Sequence, residues 1–324
     1  MITRRNLFAA AAVIGFADAS SSFAQTYPDR PIKWMVGYPA GGASDFLARV
    51  LSQKMGSDLT QPFVIENKPG AAGILSMDST AKSPPDGYTI ANTGNGELVY
   101  NLGLYKKLPY DPDKDFSLIG TIAKVPLVLI VQPSMPVKNI NDLIAIAKKE
   151  PGKLNYGSGG IGHPVQMAME MLKYRAGIDI TPVAYRGVAP ALQDLLTGSI
   201  SLMYIDLAAA MGVIRDGKAR AIAVSTKDRV QALPDIPTVE ESGIKGYDTF
   251  AWQGMIVPAK TPEIAVNRLR QSLNTALKDA DVIKRFNDAG MQPLIRTPEQ
   301  FAELVRDDRK LWIPLIKSLN LTLD

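Results

Sequence analysis

The sequence predicts an α/β fold of two lobes joined by two crossing segments. Three observations predict it. Short apolar β-type runs alternate with amphipathic stretches, the alternation forms two separate series, and an apolar run lies at each border between the series. In the first series IKWMVGY (32–38) precedes an amphipathic 42–55, FVIEN (63–67) precedes 72–82, and YTIAN (88–92) follows. In the second, LNYGS (154–158) precedes 164–175, ITPVAY (180–185) precedes 189–198, SLMYI (201–205) precedes 207–215, and ARAIAVS (219–225) closes the series. Strand–helix–strand order needs crossover connections, so the sheets are expected to be mostly parallel with helices on both faces.

The stretch at 116–132 holds two apolar runs broken at Val125-Pro126 and is expected to cross from the first lobe to the second. FAWQGMIV (250–257), after the turn-rich 233–247, is expected to cross back, and helices at about 262–278, 281–289 and 298–318 complete the chain. The first lobe then takes residues 25–125 and 247–324, and the second takes 126–246. Trp34 and Trp252 lie in strand-like runs and are expected in the core. No internal repeat is present.

Of the 324 residues 46% are apolar, enough for two modest cores. With no Cys, the chain has no disulfide, thiol nucleophile or thiolate metal site. The net charge of +4 is dispersed, as in IAKKEPGK (146–153) and ELVRDDRK (303–310), which read as solvated helix faces rather than a nucleic-acid surface.

The first residues place Arg4 and Arg5 before an apolar stretch from Leu7 to Phe16 and small residues up to Ala24. This is the order of a secretory signal peptide (1–24), cleaved before Gln25. The apolar stretch is too short to span a bilayer as a stable helix. Arg4-Arg5-Asn6-Leu7-Phe8 also fits twin-arginine export. Cleavage lowers the charge to +3 and directs a mature chain to the periplasm.

Two glycine-rich segments each follow a strand and open a helix: Gly37-Tyr38-Pro39-Ala40-Gly41-Gly42-Ala43-Ser44-Asp45 and Gly157-Ser158-Gly159-Gly160-Ile161-Gly162-His163-Pro164. Backbone N–H groups at such junctions converge on an anion, and the helix dipole adds to the attraction. Neither has the spacing of a dinucleotide or P-loop fingerprint. Pro164 suits the first helical position, which leaves the amides of Val165 and Gln166 to be free. One such segment in each lobe could grip a carboxylate from both sides. Read alone, each is equally a glycine turn, and Asp45 equally a first-turn acid favourable to its own helix. Asp206 ends an apolar run, where an acid needs a partner or a solvated cleft.

Further segments carry a resemblance: Tyr27-Pro28-Asp29-Arg30-Pro31-Ile32, the Tyr38–Asp45 loop, Glu66-Asn67-Lys68-Pro69-Gly70-Ala71-Ala72-Gly73, Pro85-Asp86-Gly87-Tyr88-Thr89 and Tyr105-Lys106-Lys107-Leu108-Pro109-Tyr110-Asp111-Pro112. Asn155-Tyr156-Gly157-Ser158, Tyr185-Arg186-Gly187 with Pro190-Ala191 and Asp194-Leu195-Leu196, and Leu233-Pro234-Asp235-Ile236-Pro237-Thr238 belong with them. Together they resemble the Bug receptors, the extracytoplasmic binding subunits of tripartite tricarboxylate transporters, over essentially the whole mature chain. The resemblance implies a type II periplasmic-binding-protein (Venus flytrap) fold, no reaction, no cofactor or metal, and a mono- or dicarboxylate, aromatic acids included, held by backbone amides. Its partners would be the transporter's membrane subunits, with the receptor itself a monomer.

Carried over, the resemblance points to Tyr38, Ala40, Gly41, Gly42 and Asp45 in the first lobe and to Ser158, Gly159, Gly162 and His163 in the second. Thr93, Gly94 and Asn95 form a third contact loop, and Asp206 stands where the family frequently has an acid near the pocket. Two positions depart from the family. His163, the single histidine, stands where a small hydroxyl residue is usual, and Gln166 stands where a histidine is usual. His163 is read as a pH-dependent cation for a carboxylate, as a stacking partner for an aromatic ligand, or as an exposed loop residue. Other classes remain: a receptor read by a sensor kinase, or an exported hydrolase or lyase, for which no nucleophile or general base can be assigned.

Overall fold

The computed structural model describes residues 27–323, so the expected signal peptide lies outside the described residues. The chain opens with β1 (Ile32–Val36), α1 (Ala43–Leu59), β2 (Phe63–Asn67), α2 (Ile74–Ala81) and β3 (Thr89–Gly94). A π-helical turn, Gly96–Tyr100, runs into α3 (Asn101–Leu104), and β4 (Phe116–Val125) follows. Then come β5 (Leu127–Val131), α4 (Ile140–Lys149), β6 (Asn155–Ser158), α5 (Pro164–Ala176), β7 (Thr181–Ala184), α6 (Val188–Thr197), β8 (Leu202–Asp206), α7 (Leu207–Arg215) and β9 (Arg220–Val224). The chain ends with β10 (Ala251–Pro258), α8 (Glu263–Leu277), α9 (Ala280–Asp288), β11 (Gln292–Pro293) and α10 (Pro298–Ser318).

Two sheets result, ordered β11-β4-β10-β3-β1-β2 and β7-β6-β8-β5-β9. The apolar stretch at 116–132 supplies one strand to each. Pro126 lacks an N–H and cannot continue a ladder, so β4 and β5 separate there into different sheets. The expectation of mostly parallel sheets is corrected. β1 runs parallel to β2 and β3, and β6 to β7 and β8, but β10 is antiparallel to β3 and β4, and β5 to β8 and β9. The strands next to the crossings enter from the other sheet, so they do not follow the βαβ direction.

Ser225 ties the two crossings together. Its N–H donates to the Leu127 carbonyl at 2.9 Å and its carbonyl accepts the Thr249 N–H at 2.9 Å. Its hydroxyl donates to the Thr249 carbonyl at 2.6 Å and accepts the Leu127 N–H at 3.2 Å. Both connections are thus pinned by one buried residue.

Each sheet has its own apolar layer. Trp34, Leu47, Leu51, Met255 and Phe286 lie among those of the first, and Ile130, Leu195, Met203 and Ile205 among those of the second. A third cluster joins residues of both segments, from Leu98, Leu104, Trp252 and Phe301 to Leu129, Tyr156 and Tyr204. Trp34 and Trp252 are both buried.

Candidate functional site

The loops that end β1 and β6 lie in contact across the two lobes. The Tyr38 and His163 rings meet edge to face, 6.2 Å between centroids at 84°. A Cβ on Gly162 would lie 2.5 Å from Cδ1 of Leu104, so second-lobe backbone touches first-lobe α3 directly.

In the first loop Gly41 has φ +84, the left-handed region glycine tolerates. Its N–H donates to Asp45 Oδ2 at 2.9 Å, the oxygen that also takes Arg49 Nε at 2.9 Å, while Oδ1 takes Asn67 Nδ2 at 3.0 Å. Burial pushes the Asp45 carboxyl up, but these bonds outweigh it and hold the group below its usual value. Asp45 therefore fastens the loop, and the Gly41 amide is already occupied. Gly42 caps α1 with no side-chain bond, so the first-turn amides of α1 stay uncapped. Ala40 and Gly42 are exposed beside them.

The second loop is built differently. His163 Nδ1 accepts the Val165 N–H at 3.3 Å, the His163 carbonyl accepts the Gln166 N–H at 2.9 Å, and Gln166 Oε1 accepts the Gly162 N–H at 2.7 Å. The expectation of free Val165 and Gln166 amides is corrected: His163 is itself the N-cap of α5. Burial pushes the His163 imidazole down to about 4, so at neutral pH it is uncharged. It is half-buried rather than an exposed loop residue. Ser158 is buried, and its Oγ accepts the Gly160 N–H at 3.4 Å. A Cβ on Gly159 would press on the His163 ring at 3.0 Å.

The third loop is packed into the first lobe. Asn95 Oδ1 accepts the Trp252 N–H at 2.8 Å and its Nδ2 donates to Asp308 Oδ2 at 3.0 Å. Trp252 Nε1 shares that oxygen at 2.7 Å. Both ends of the Asn95 amide are thus engaged internally. The Gly94 N–H goes to Glu97 Oε2 at 2.8 Å, and Thr93 Oγ1 is buried without a partner. Asp206 ends β8 opposite Leu127 at the first crossing and caps α7 without a side-chain bond. Burial pushes its carboxyl up to about 6.

Sequence reasoning missed two components. Glu97 lies behind Tyr38, and the 70–73 loop packs against both Tyr38's neighbour Gly37 and Glu97. In that loop Ala71 and Ala72 hold positive φ of 46° and 51° beside Gly73 at 83°. The signal for Glu97 was a carboxylate inside the otherwise apolar GELVY; the signal for the loop was its glycine spacing. Chemically, the arrangement offers backbone dipoles and neutral side chains. His163 Nδ1 is taken by its own helix, which removes it from any nucleophile–base pairing. Among the described residues no group of three His, Cys, Asp or Glu could hold a metal ion.

Comparison with known proteins agrees with this layout. The family described as tripartite tricarboxylate transporter family receptor matches residues 47–321. Protein BugT of Bordetella pertussis is 32% identical over 312 residues, 94% of this chain and 96% of that protein. A solved R. palustris protein with adipate is 32% identical with a TM-score of 0.86, covering 92% of this chain and 100% of its own. MatC from Rhodopseudomonas palustris with bound malate is 30% identical with a TM-score of 0.81, covering 90% and 100%. By its two-sheet architecture, its paired glycine loops and a match over most of its length, the chain belongs to the tripartite tricarboxylate transporter receptors, the Bug receptors.

Proposed function

We propose that the protein is a periplasmic solute-binding receptor that closes on a small carboxylate between its lobes and delivers it to the membrane subunits of a tripartite transporter. The observation that carries this reading is the uncapped N-terminus of α1 a few residues along the chain from the Tyr38–His163 contact between lobes. Amide dipoles at a helix start favour an anion without any cationic side chain. Relatives solved with adipate and malate support the same class of ligand.

The lobes would comprise 25–125 with 247–324, and 126–246, hinged where Ser225 pins the crossings. Ligand contacts would come from Tyr38, Ala40, Gly42 and the first turn of α1 on one side and Ser158, Gly159 and His163 on the other, with Asp206 near the hinge. Asp45, Gly41, Gly162 and Asn95 would shape the walls. The protein acts as a monomeric receptor and performs no reaction.

Thermal unfolding of the mature chain with adipate, malate and their dimethyl esters tests this. A ligand that binds only the folded state at a hundredfold above its Kd stabilises by about 2.7 kcal/mol. One of the acids is expected to raise Tm and its ester is not; equal shifts from both would refute an anion cleft.

A further inference from the structure

Glu97 belongs to none of the expected contacts, yet three first-lobe loops converge on it. It lies in the π-helical turn after β3 and is 2% exposed. Its Oε2 accepts the Gly94 N–H at 2.8 Å, and the Tyr38 phenol donates to the same carboxyl group. A Cβ on Gly73 would lie 2.3 Å from Oε1, so only glycine lets the 70–73 loop approach so closely. The Glu97 carbonyl takes the Tyr110 hydroxyl at 2.8 Å, and Asn101 Nδ2 donates to the Ala72 carbonyl at 3.1 Å. These bonds fix the turn and the loop from behind. The ring of Tyr38, held at its phenol, is the one that meets His163.

We propose that Glu97 is a positioning residue of the cleft: through Tyr38, Gly94 and Gly73 it holds three first-lobe loops in the arrangement in which the Tyr38 ring meets His163 of the second lobe. The inference rests on the carboxylate reading of the cleft only for its effect on affinity. Burial pushes Glu97 up to about 7, so its neutral form dominates below that pH and its carboxylate above. The ionisable groups around it do not offset that charge. Tyr38, Tyr100 and Tyr110 are phenols that burial keeps neutral. On α10, Arg309 reaches the Leu98 carbonyl but is paired with Asp113, and Asp308 is bonded to Trp252 and Asn95. Asp45 is paired with Arg49, and His163 is uncharged. An ionised Glu97 therefore adds negative charge behind the anion cleft.

The chain has one histidine, so its imidazole resonances report on this contact alone and need no ligand. In Glu97→Ala and in Tyr38→Phe those resonances should shift alike, with the double variant adding nothing further, while Glu97→Gln stays closer to wild type. Between pH 6 and 8 the wild-type resonances should move with a midpoint near 7, and Glu97→Gln should abolish that step. Unchanged resonances in Glu97→Ala and Tyr38→Phe, or additive shifts, would overturn the proposal. If Glu97→Ala does not fold, Tyr38→Phe and Glu97→Gln decide. In a separate calorimetric arm, adipate should bind about tenfold more weakly to Tyr38→Phe, a loss of ~1.4 kcal/mol. Wild-type affinity should fall from pH 6 to 8 while that of Glu97→Gln does not. A wild type that ignores adipate would count against the carboxylate reading and leave the resonances to judge Glu97.

Discussion

His163 shows how far a single residue's chemistry depends on its surroundings. Val165 donates to Nδ1, so the ring proton resides on Nε2, and the ring is closed in by Tyr38 from the other lobe. The sequence places His163 at a helix start, but it does not reveal how deeply the fold buries the ring, and that burial is what holds the imidazole neutral. The pH linkage follows. An imidazole in the unfolded chain titrates near about 6.5, whereas burial in the folded protein lowers it to about 4. Its contribution to stability is therefore present in full above about 6.5 and is lost as pH falls toward 4. Between pH 6.5 and 5 the wild type should lose about 1.4 kcal/mol of stability relative to His163→Asn. That variant keeps a helix-capping oxygen, so the fold should survive. Parallel pH profiles of unfolding for the two proteins, measured by calorimetry, would assign the acid limb elsewhere.

Among the elements, those with long periodic patterns were legible. α7 and α10 span 207–215 and 298–318 as read, and Pro126 marks the change of sheet because its missing N–H is visible in the sequence. The π-helical turn with α3 and β11 were not, and of α4 only the solvated face at its end, within 146–153, was read. The buried turn at 96–104 has no polar face to give it a helical period, and β11 is two residues long. The glycine loops were found, but their hydrogen bonds were not: Asp45, Gln166 and His163 occupy amides that spacing alone leaves free. Gly162 carries a consequence for closure. At φ +77, and with a Cβ that would press on buried Leu104, it lets the second-lobe loop reach α3. Gly162→Ala should cost about 1 kcal/mol of stability from the left-handed backbone. Its larger effect should be on affinity for whichever acid raises the wild-type Tm, about tenfold or more by calorimetry, because the lobes can no longer meet. Wild-type affinity in this variant would show that the Gly162–Leu104 contact is dispensable for binding.

The whole molecule combines two sheet cores with a third apolar cluster that joins residues of both segments. Composition foretold enough apolar residues for two cores; the shared cluster depends on tertiary contacts between distant segments. Burial in this interior also sets how stability responds to pH. Desolvation pushes Glu97 up to about 7 and Asp206 and Asp308 each up to about 6, although Trp252 and Asn95 donate to Asp308. For each, the folded-state value lies above the unfolded one, so the folded chain holds more protons in this range and stability falls as pH rises through the folded values. His163 acts in the opposite sense, but its contribution is lost only below about 6.5, where the unfolded imidazole takes up its proton. Between pH 7.5 and 6.5 the carboxyls therefore dominate, and the ligand-free protein should gain on the order of 1 kcal/mol on acidification, chiefly from Glu97. Calorimetric unfolding should show Tm about 2 °C higher at pH 6.5 than at 7.5, a scale set by the large unfolding entropy of a chain this size. Glu97→Gln should remove most of the difference. A wild-type Tm that falls over the same step would mean that Glu97 is ionised throughout, with its charge compensated inside the first lobe.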